Sequence, residues 1–436
     1  MNFCLAIFDL KENRYSINAL LSALEKETLI EEIPIYFFKD KSALLKGVEE
    51  LLEKFEKIII AFSFFTTQLW DINDVIKTLQ KTFASKRKKL ILIAGGPHPT
   101  GDVKGVLNWG FDFVFTGEAE KSFSEFIKAL KFKENFSQIK GLAYLNENKE
   151  FIYTGKSEKI DLNSYPPFSL KLNRLNPIEI TRSCPFGCYF CQTPRIFGKK
   201  VRHRSIENIL KYVELLLERG IKDFRFITPN AFSYGSNDGK TLNLEALETL
   251  LKELHQLVNP REGRIFFGSF PSEVRPEHVT EETVNLVKKY ANNDNLVIGA
   301  QSGSDRILKL CKRGHTVEDI YRAVKLTIKA GLKAKVDFIF GLPEEKKEDI
   351  KETIKVMEDL AKMGAIIHAH TFMPLPQTPF VKKKPGKIDL DLLKTINKLL
   401  GKGLLFGDWK IQEELAEKIY RYFQTGKIEE YIKNSI

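Results

Sequence analysis

Apolar residues in the first third of the chain come in short runs, separated by stretches in which apolar positions recur with helical spacing. The runs recur about every 25 residues, as expected for strands that alternate with helices. Helices are predicted between the runs, for example over Ser16–Glu25 and Ala43–Phe55. Residues 1–131 are therefore predicted to form a flavodoxin-like, doubly wound parallel sheet covered on both faces. The predicted strands are Asn2–Phe8, Glu32–Phe37, Lys57–Phe62, Leu90–Ala94 and Asp112–Phe115.

This rhythm is interrupted at residues 132–175 and then resumes. The interruption holds a polar, hairpin-like segment (Gly141–Tyr153) and the pair Pro166-Pro167, so we interpret it as a linker. Six further units over residues 176–386 favour a partial (β/α)6 barrel of the TIM type, whose chemistry lies on loops after the strands. Residues 387–436 are charged, and their pattern predicts a helical C-terminal cap. The predicted barrel strands are Pro177–Thr181, Asp223–Thr228, Arg264–Ser269, Asn295–Gln301, Lys333–Phe340 and Ala365–Phe372.

The composition is typical of a soluble α/β chain with more than one domain. The chain has 436 residues, of which 43% are hydrophobic and 29% charged. No apolar run approaches the length of about 18 residues that a membrane-spanning helix needs. The net charge of +11 suits an RNA or anionic-lipid partner, or a lysine-rich solvated surface. Because the basic residues are dispersed and no aromatic residues interleave with them, the charge by itself does not indicate nucleic acid.

Three of the five cysteines are clustered in the segment Thr181-Arg-Ser-Cys184-Pro-Phe-Gly-Cys188-Tyr-Phe-Cys191. Three thiolates at this spacing can hold three irons of a [4Fe–4S] cluster and leave the fourth iron open to a ligand. A structural zinc site would need a fourth ligand, and no Cys or His follows until His203. Few cysteines, mostly clustered, also favour a reducing, cytoplasmic compartment.

This motif, with the segments downstream of it, resembles the signature of the radical S-adenosylmethionine (SAM) enzymes. The resemblance implies that the open iron is chelated by SAM. It implies further that one electron cleaves SAM to a 5′-deoxyadenosyl radical, which abstracts hydrogen from a substrate. An external one-electron donor such as ferredoxin or flavodoxin would then be a partner. The resemblance places the three cysteines on the cluster and Phe190 beside the cofactor.

Further cofactor contacts follow from the resemblance, on the loop after each later predicted strand. Glu273 and Arg275 share one side of an extended segment, so they could hold SAM polar groups or form an ion pair at the barrel rim. Thr228 and Asn230 stand where the family receives the SAM amino group, although an ordinary polar turn is the alternative. Gln301 and Ser302 resemble a ribose- and methionine-binding turn, Arg313 a residue that faces the SAM carboxylate, and Gly341 and Leu342 an adenine-binding turn.

His368 and His370 are two residues apart on the last predicted barrel strand and therefore share one face. Facing the barrel mouth, they could contact substrate or act as acid and base. Facing the helices, they would be core histidines. We consider a metal site less favoured because no third ligand is visible in the sequence.

Three segments near the N-terminus resemble the cobalamin-binding domain that precedes the barrel in one branch of radical SAM proteins. Each follows a predicted strand, at the edge where doubly wound sheets bind ligands. The stretch Asp9-Leu-Lys11-Glu-Asn-Arg14 lacks the histidine of the D-x-H-x-x-G motif, so cobalt would have no lower histidine ligand. An empty, structural domain is the alternative. The implied contact residues are Ser63, Thr66, Gly95, Gly96, Gly117 and Glu118.

Together these features predict a cobalamin-dependent radical SAM methyltransferase that acts on an unactivated carbon. One alternative is a non-methylating radical SAM cyclase, rearrangement or C–C coupling enzyme. Another is a sensor that uses cobalamin or the cluster as a signal. A methylthiotransferase would need a second cysteine triad in the N-terminal domain, where only Cys4 is found.

Overall fold

The computed structural model describes residues 2–175 and 177–428. The chain divides into two compact units. Among the described residues, the first comprises residues 2–175, 375–377 and 426–428, and the second comprises residues 177–374 and 378–425.

The first unit is a seven-stranded sheet with strand order β2-β1-β3-β4-β5-β6-β7. β1 to β5 are parallel, and their order 2-1-3-4-5 confirms the predicted flavodoxin-like topology. The strands are β1 (Phe3–Phe8), β2 (Ile35–Phe38), β3 (Lys57–Ser63), β4 (Leu90–Gly95), β5 (Phe113–Phe115), β6 (Leu142–Leu145) and β7 (Phe151–Tyr153). The helices are α1 (Arg14–Lys26), α2 (Lys41–Leu52), α3 (Leu69–Thr82), α4 (Pro97–Gly101), α5 (Val103–Asn108) and α6 (Glu120–Phe132).

Burial explains why the central strands are continuous apolar runs. All six residues of β1 are buried, because helices cover both faces of the parallel sheet. Leu5, Leu21 and Phe126 belong to one core cluster, which therefore joins β1 to α1 and α6. Helix α2 is capped by a neighbouring residue in the sequence. The Asp40 carboxylate accepts a hydrogen bond from Ala43 N at 2.8 Å.

We expected residues 132–175 to be a separate linker. They are instead part of the first unit. β6 and β7 form a hairpin that pairs antiparallel with β5 and so covers an otherwise open sheet edge. At the end of this stretch, Arg174 makes a two-pronged ion pair with Asp9, both contacts at 2.7 Å. Arg174 Nε also donates to Asn18 Oδ1 at 2.9 Å, so the segment is held to the start of the sheet.

The second unit contains the six predicted barrel strands. Its strands are β8 (Ile178–Glu179), β9 (Thr181–Arg182), β10 (Arg202–His203), β11 (Asp223–Ile227), β12 (Arg264–Phe266), β13 (Asn295–Gln301), β14 (Lys333–Phe340), β15 (Ile366–Thr371) and β16 (Leu405–Phe406). Its helices are α7 (Thr193–Ile196), α8 (Ile206–Glu218), α9 (Leu244–Val258), α10 (Glu281–Tyr290), α11 (Asp305–Leu310), α12 (Val317–Lys329), α13 (Lys347–Lys362), α14 (Leu390–Gly401) and α15 (Trp409–Thr425).

Parallel pairing runs in the orders β12-β11-β8 and β13-β14-β15-β16, and the short β9 and β10 pair separately. An isolated bridge between Val274 and Ile298 links the segment after β12 to β13. The arc β8, β11, β12, β13, β14, β15 confirms the partial barrel. β12 ends at Phe266, three residues before the predicted end, and the chain then turns at Gly268, whose φ is +70°.

The C-terminal extension is not wholly helical as predicted. Between α14 and α15, the two-residue strand β16 pairs in parallel with β15 and extends the barrel sheet. The last barrel strand would otherwise present an unpaired edge, which this short segment covers. The predicted helical pattern over 429–436 lies outside the described residues. Among the described residues, no helix combines the length and apolar character required to cross a membrane.

The Asp9–Arg174 pair yields a stability prediction. Arg174→Met should leave the buried Asp9 carboxylate without its cation and lower the free energy of unfolding of the first unit by about 3 kcal/mol. Lys121→Met is the matched control, because Lys121 pairs with Glu158 at an exposed site and should cost under about 1 kcal/mol. Urea unfolding followed by circular dichroism measures both, and equal losses would contradict the prediction.

Candidate functional site

The three clustered cysteines lie in the loop that follows β9, on the wall of a cavity within the barrel unit. The cavity volume is about 870 Å³, which is the size of a small-molecule site. Ser183 and Gly187 turn this loop with φ angles of +82° and +69°. Cys188 is buried, and Cys184 and Cys191 are half-buried. The loop therefore presents all three thiols, together with Phe190, to one enclosed space.

Burial makes these thiols hard to ionise in the absence of a metal. It raises the pKa of Cys191 to about 11, and it also raises the pKa of Cys184 above its ordinary value. The nearby guanidinium groups of Arg275 and Arg313 act in the opposite direction on Cys184. Iron displaces thiol protons when it binds, so such a site suits a metal cluster better than a free thiolate nucleophile.

Arg313 is a buried cation beside the cysteine loop. Its Nη1 lies 3.6 Å from Cys188 Sγ, and its Nη2 donates to Gly299 O at 2.6 Å. Its Nε is buried and has no hydrogen-bond partner among the residues that the structure describes. A buried guanidinium requires nearby negative charge, which cluster thiolates and a ligand carboxylate would both supply. The surroundings of Arg313 thus fit a bound cluster and an anionic ligand group.

Gly299, near the end of β13, marks where the polar groups converge. A Cβ atom at this position would lie 3.0 Å from both Gln301 Nε2 and Glu273 Oε2, and 3.1 Å from Arg313 Nη2. The absence of a side chain at Gly299 lets these three side chains meet without shifting. Gln301 itself has a left-handed φ of +77°, a strained conformation of the kind that clusters at functional sites.

Glu273 and Arg275 both line the cavity but do not pair with each other in the ion pairs of the described residues. Arg275 Nε instead contacts Glu277 Oε1 at 2.6 Å, and its guanidinium lies 3.4 Å from the ring centre of Phe186. Burial raises the pKa of Glu273 to about 7, with a further increase from Asp337, while Arg313 and Arg275 act against it. Glu273 can therefore carry or release a proton near neutral pH.

Of the predicted pair after β11, Thr228 lines the cavity and Asn230 does not. Asn230 is buried; its side-chain nitrogen lies 2.6 Å from His278 Nδ1, and its Oδ1 accepts from Arg275 N at 3.1 Å. Asn230 thus positions the segment that carries Arg275.

Three other predicted contacts also lie outside the cavity lining. Ser302 is buried and accepts a hydrogen bond from Ser304 N. Leu342 is 1% exposed and packs in a core cluster with Phe372 and Phe380, so it offers no open face to a ring. Gly341, with a φ of +69°, is needed because a Cβ there would lie 2.5 Å from Gly386 O.

His368 and His370 face the cavity, together with a residue that the sequence analysis missed. Asp337 on β14 is the register partner of His368 on β15, and its Oδ1 lies 2.9 Å from His368 Nδ1. His370 Nε2 lies 3.1 Å from the same His368 nitrogen. The third group that was not visible in the sequence is therefore Asp337, so the argument against a metal site was wrong. The register of two parallel strands supplies the third group, and only pairing reveals it.

In the first unit, the three predicted segments meet at the carboxyl edge of the sheet. Thr66 Oγ1 lies 3.1 Å from Nδ1 of the fully buried His98, and Ser63 Oγ lies 3.0 Å from Ser16 Oγ. Gly95 is loosely packed, because a Cβ there would make a single ordinary contact, with Phe115 Cβ at 3.8 Å. This loosely packed position, flanked by hydroxyl groups, fits a ligand lying over the sheet edge.

The remaining residues of these segments hold the protein together. A Cβ at Gly96 would lie 2.9 Å from Phe64 N, so this glycine makes room for the Phe64 backbone. We had expected it to make room for a ligand tail. Gly117 N donates to Thr100 Oγ1 at 3.1 Å. Glu118 is buried, and its carboxylate accepts from Ile160 N at 3.2 Å.

Two protein families match these two regions. Residues 178–357 match the radical SAM superfamily, and residues 16–127 match the B12-binding domain. The chain contains a radical SAM domain, preceded by a B12-binding domain. The radical SAM domain implies a [4Fe–4S] cluster and SAM as cofactors, and the B12-binding domain supports cobalamin as a third.

Individual relatives agree with these domains. An uncharacterized protein of Methanocaldococcus jannaschii is 33% identical over 233 residues, which are 50% of this chain and 45% of the relative. An uncharacterized methyltransferase of Pyrococcus horikoshii is 26% identical over 72% of this chain and 66% of its own. The ribosomal protein uS12 methylthiotransferase RimO of Clostridioides difficile is 27% identical over 70% of this chain and 65% of its own. The chain thus spans about half to two thirds of the length of these relatives.

The fold also has a solved counterpart. The radical SAM methyltransferase TsrM from Kitasatospora setae, solved with cobalamin and a [4Fe–4S] cluster bound, superposes with a TM-score of 0.66. The match covers 87% of this chain and 74% of TsrM at 15% identity, so it establishes the fold alone.

The raised pKa of Glu273 in the radical SAM domain predicts a pH-dependent stability. The folded chain binds this proton more tightly than the unfolded chain, whose carboxyl titrates near its ordinary 4.5. Stability should therefore fall by about 3 kcal/mol as pH rises from 4.5 to 7, and then level off. Urea unfolding of the cluster-free chain at pH 5 and pH 8 measures this loss.

Glu273→Gln should reduce the loss, because glutamine does not titrate. Glu281→Gln, at the exposed start of α10, is the matched control and should behave as wild type. An unchanged pH dependence in Glu273→Gln would show that this carboxyl does not ionise across that range.

Proposed function

We propose that this protein is an enzyme that reductively cleaves SAM at a [4Fe–4S] cluster to a 5′-deoxyadenosyl radical, and that it uses cobalamin to methylate an unactivated carbon. The observation that carries the proposal is the cavity in which three thiols face Glu273, Gln301 and Arg313. This cavity belongs to a chain that also contains a B12-binding domain.

Cys184, Cys188 and Cys191 would hold three irons of the cluster. When bound there, the cluster supplies the electron that cleaves SAM. Arg313, already hydrogen-bonded to Cys188 and Gly299, would balance the cluster's negative charge and direct its remaining Nε toward a ligand. The buried Arg275 and Gln301, together with the half-buried Glu273, are the matched groups for the carboxylate, ribose and amine of SAM. The position of these groups within the barrel cavity would hold SAM in one orientation beside the cluster.

The same cavity continues along the barrel past the cysteine loop. Its lining there includes Arg225, Lys335 and Phe406, none of which was identified from the sequence. Arg225 donates to Phe270 O at 2.8 Å and lies 4.2 Å from the ring centre of Phe266. Arg225 and Lys335 take part in none of the described ion pairs with a carboxylate. We assign this end of the cavity to the substrate, and its cations favour a substrate with an acidic group.

Ser63, Thr66 and Gly95 would hold cobalamin at the sheet edge. Lys11 occupies the position where a lower histidine ligand would stand, so cobalt would lack a histidine from that motif. The electron would come from a small reductant such as ferredoxin or flavodoxin in a reducing cytoplasm. A methylthiotransferase is not favoured, because Cys4 is the only cysteine before the barrel and burial raises its pKa to about 12.

A second candidate is a radical SAM enzyme that does not methylate and whose first domain is structural. This candidate is favoured because residues of the predicted cobalamin site already contact other parts of the protein. Thr66 hydrogen-bonds to His98, Glu118 hydrogen-bonds to Ile160, and the Phe64 backbone fills the space beside Gly96. Retention of cobalt separates the two candidates.

Loss of one cluster thiol should abolish SAM cleavage. Cys184→Ala should assemble no [4Fe–4S] cluster and release no 5′-deoxyadenosine under reducing, oxygen-free conditions, since three ligands are the minimum for this cluster. Iron analysis, the visible spectrum and chromatography of the SAM products measure this. Cys311→Ala is the matched control, because Cys311 is 1% exposed in a core cluster, and it should keep four irons. Deoxyadenosine from Cys184→Ala at the wild-type rate would refute the cluster assignment.

Filling the open sheet edge should release cobalamin without affecting the cluster. Wild-type protein reconstituted with iron, sulfide and hydroxocobalamin should keep about one cobalt per chain after desalting. Gly95→Leu should lose it, because the new side chain covers the sheet edge, whereas Gly401→Leu in open space on α14 should not. A wild-type chain with four irons and no cobalt would overturn the methylation proposal and leave the second candidate.

A further inference from the structure

Three potential metal ligands converge inside the barrel, away from the cysteine loop. Asp337, His368 and His370 each offer one ligand atom, and these three atoms lie within 4.8 Å of one another. Two of the separations are 2.9 and 3.1 Å. Ligands of one zinc-sized ion, each about 2.0–2.1 Å from the metal, are themselves about 2.9–3.3 Å apart at octahedral or tetrahedral angles. Two of the three separations fall in this range, which hydrogen bonds share, and the three groups are thus close enough to share an ion.

Hydrogen bonding among the three groups leaves one lone pair unmatched. A neutral His368 carries at most one hydrogen on Nδ1. If that hydrogen is present, it can make a well-aligned hydrogen bond to only one of Asp337 and His370, and the other is left without it. If it is absent, the lone pair of Nδ1 faces the Asp337 carboxylate. A cation placed among the three atoms would satisfy all of them at once.

The surroundings hold the rings in a ligand-ready state. His368 stacks on Phe406 with ring centres 4.3 Å apart and an angle of 7°, which fixes its orientation. Lys335 lies two residues before Asp337 on the same face of β14. Its flexible, positively charged side chain is the charge on that strand that is opposite in sign to the Asp337 carboxylate.

We propose that Asp337, His368 and His370 form a binding site for a divalent transition-metal ion of the Zn²⁺ or Fe²⁺ class. Two histidines and one carboxylate are a ligand set that such ions use with positions left open. Because the three residues line the cavity, the open positions would be available to an oxygen or nitrogen atom of a molecule bound there. The site is separate in sequence and in ligand type from the cysteine loop, and it stands whether or not the chain methylates.

Zinc binding by the full-length, cluster-reconstituted chain tests the site directly. After incubation with Zn²⁺ and desalting, metal analysis should find one zinc per chain in addition to the cluster iron. His370→Gln and Asp337→Asn should each weaken Zn²⁺ affinity at least a hundredfold in calorimetric titrations. His255→Gln is the matched control, since His255 on α9 contacts Tyr290 O outside the cavity, and it should bind zinc as wild type does.

Cluster iron that is retained in a variant shows that its barrel has folded. If Asp337→Asn loses the cluster iron, the test rests on His370→Gln alone. The chain with C184S, C188S and C191S should keep the zinc and, with Co²⁺ as probe, show the absorption bands of nitrogen- and oxygen-bound cobalt. Absence of zinc beyond the cluster in wild type would overturn the proposal and leave an Asp–His acid–base group. Equal zinc in wild type and His370→Gln would overturn it as well.

Discussion

The arrangement of the barrel site depends on one buried positive charge. Arg313 is 4% exposed, yet it lies against Cys188, the Gly299 carbonyl and the side chains that converge over Gly299. A guanidinium is not stable in such a place without anionic partners, which Glu273 and thiolates on the cysteine loop can both supply. This need for negative charge joins the loop after β9 to the end of β13, which are far apart in sequence.

The two units use the same physical device in different ways. In both, parallel strands end at one edge, and loops after the strands bring distant residues together. In the first unit most of these groups form hydrogen bonds within the protein, and Gly95 is loosely packed. In the second unit the groups surround a cavity of about 870 Å³, where Arg275 and Arg313 are buried and Glu273 is half-buried. Burial, more than any single contact, gives this site its perturbed acidities.

The strands were predictable because each is a continuous apolar run between polar stretches, and the predicted bounds Asn295–Gln301 and Lys333–Phe340 match β13 and β14. The position of the cysteine loop followed from its spacing and its place after a strand. The role of Asp337 was not predictable, since it depends on register across two strands. Nor was β16, because a strand of two residues has no periodicity to detect. Leu342 and Gly96 were misassigned because packing, not pattern, decides which neighbours a residue meets.

Phe406 gives the C-terminal extension a place in the cavity wall. It lies on β16, beyond residues 178–357 that match the radical SAM superfamily, and stacks on His368. The cysteine loop lies within residues 178–357, whereas Phe406, which contacts His368, lies outside them. The two parts of the cavity wall are therefore encoded by different stretches of the gene. A change in the extension can thus alter the cavity wall beside His368 without any change in the sequence of the cysteine loop.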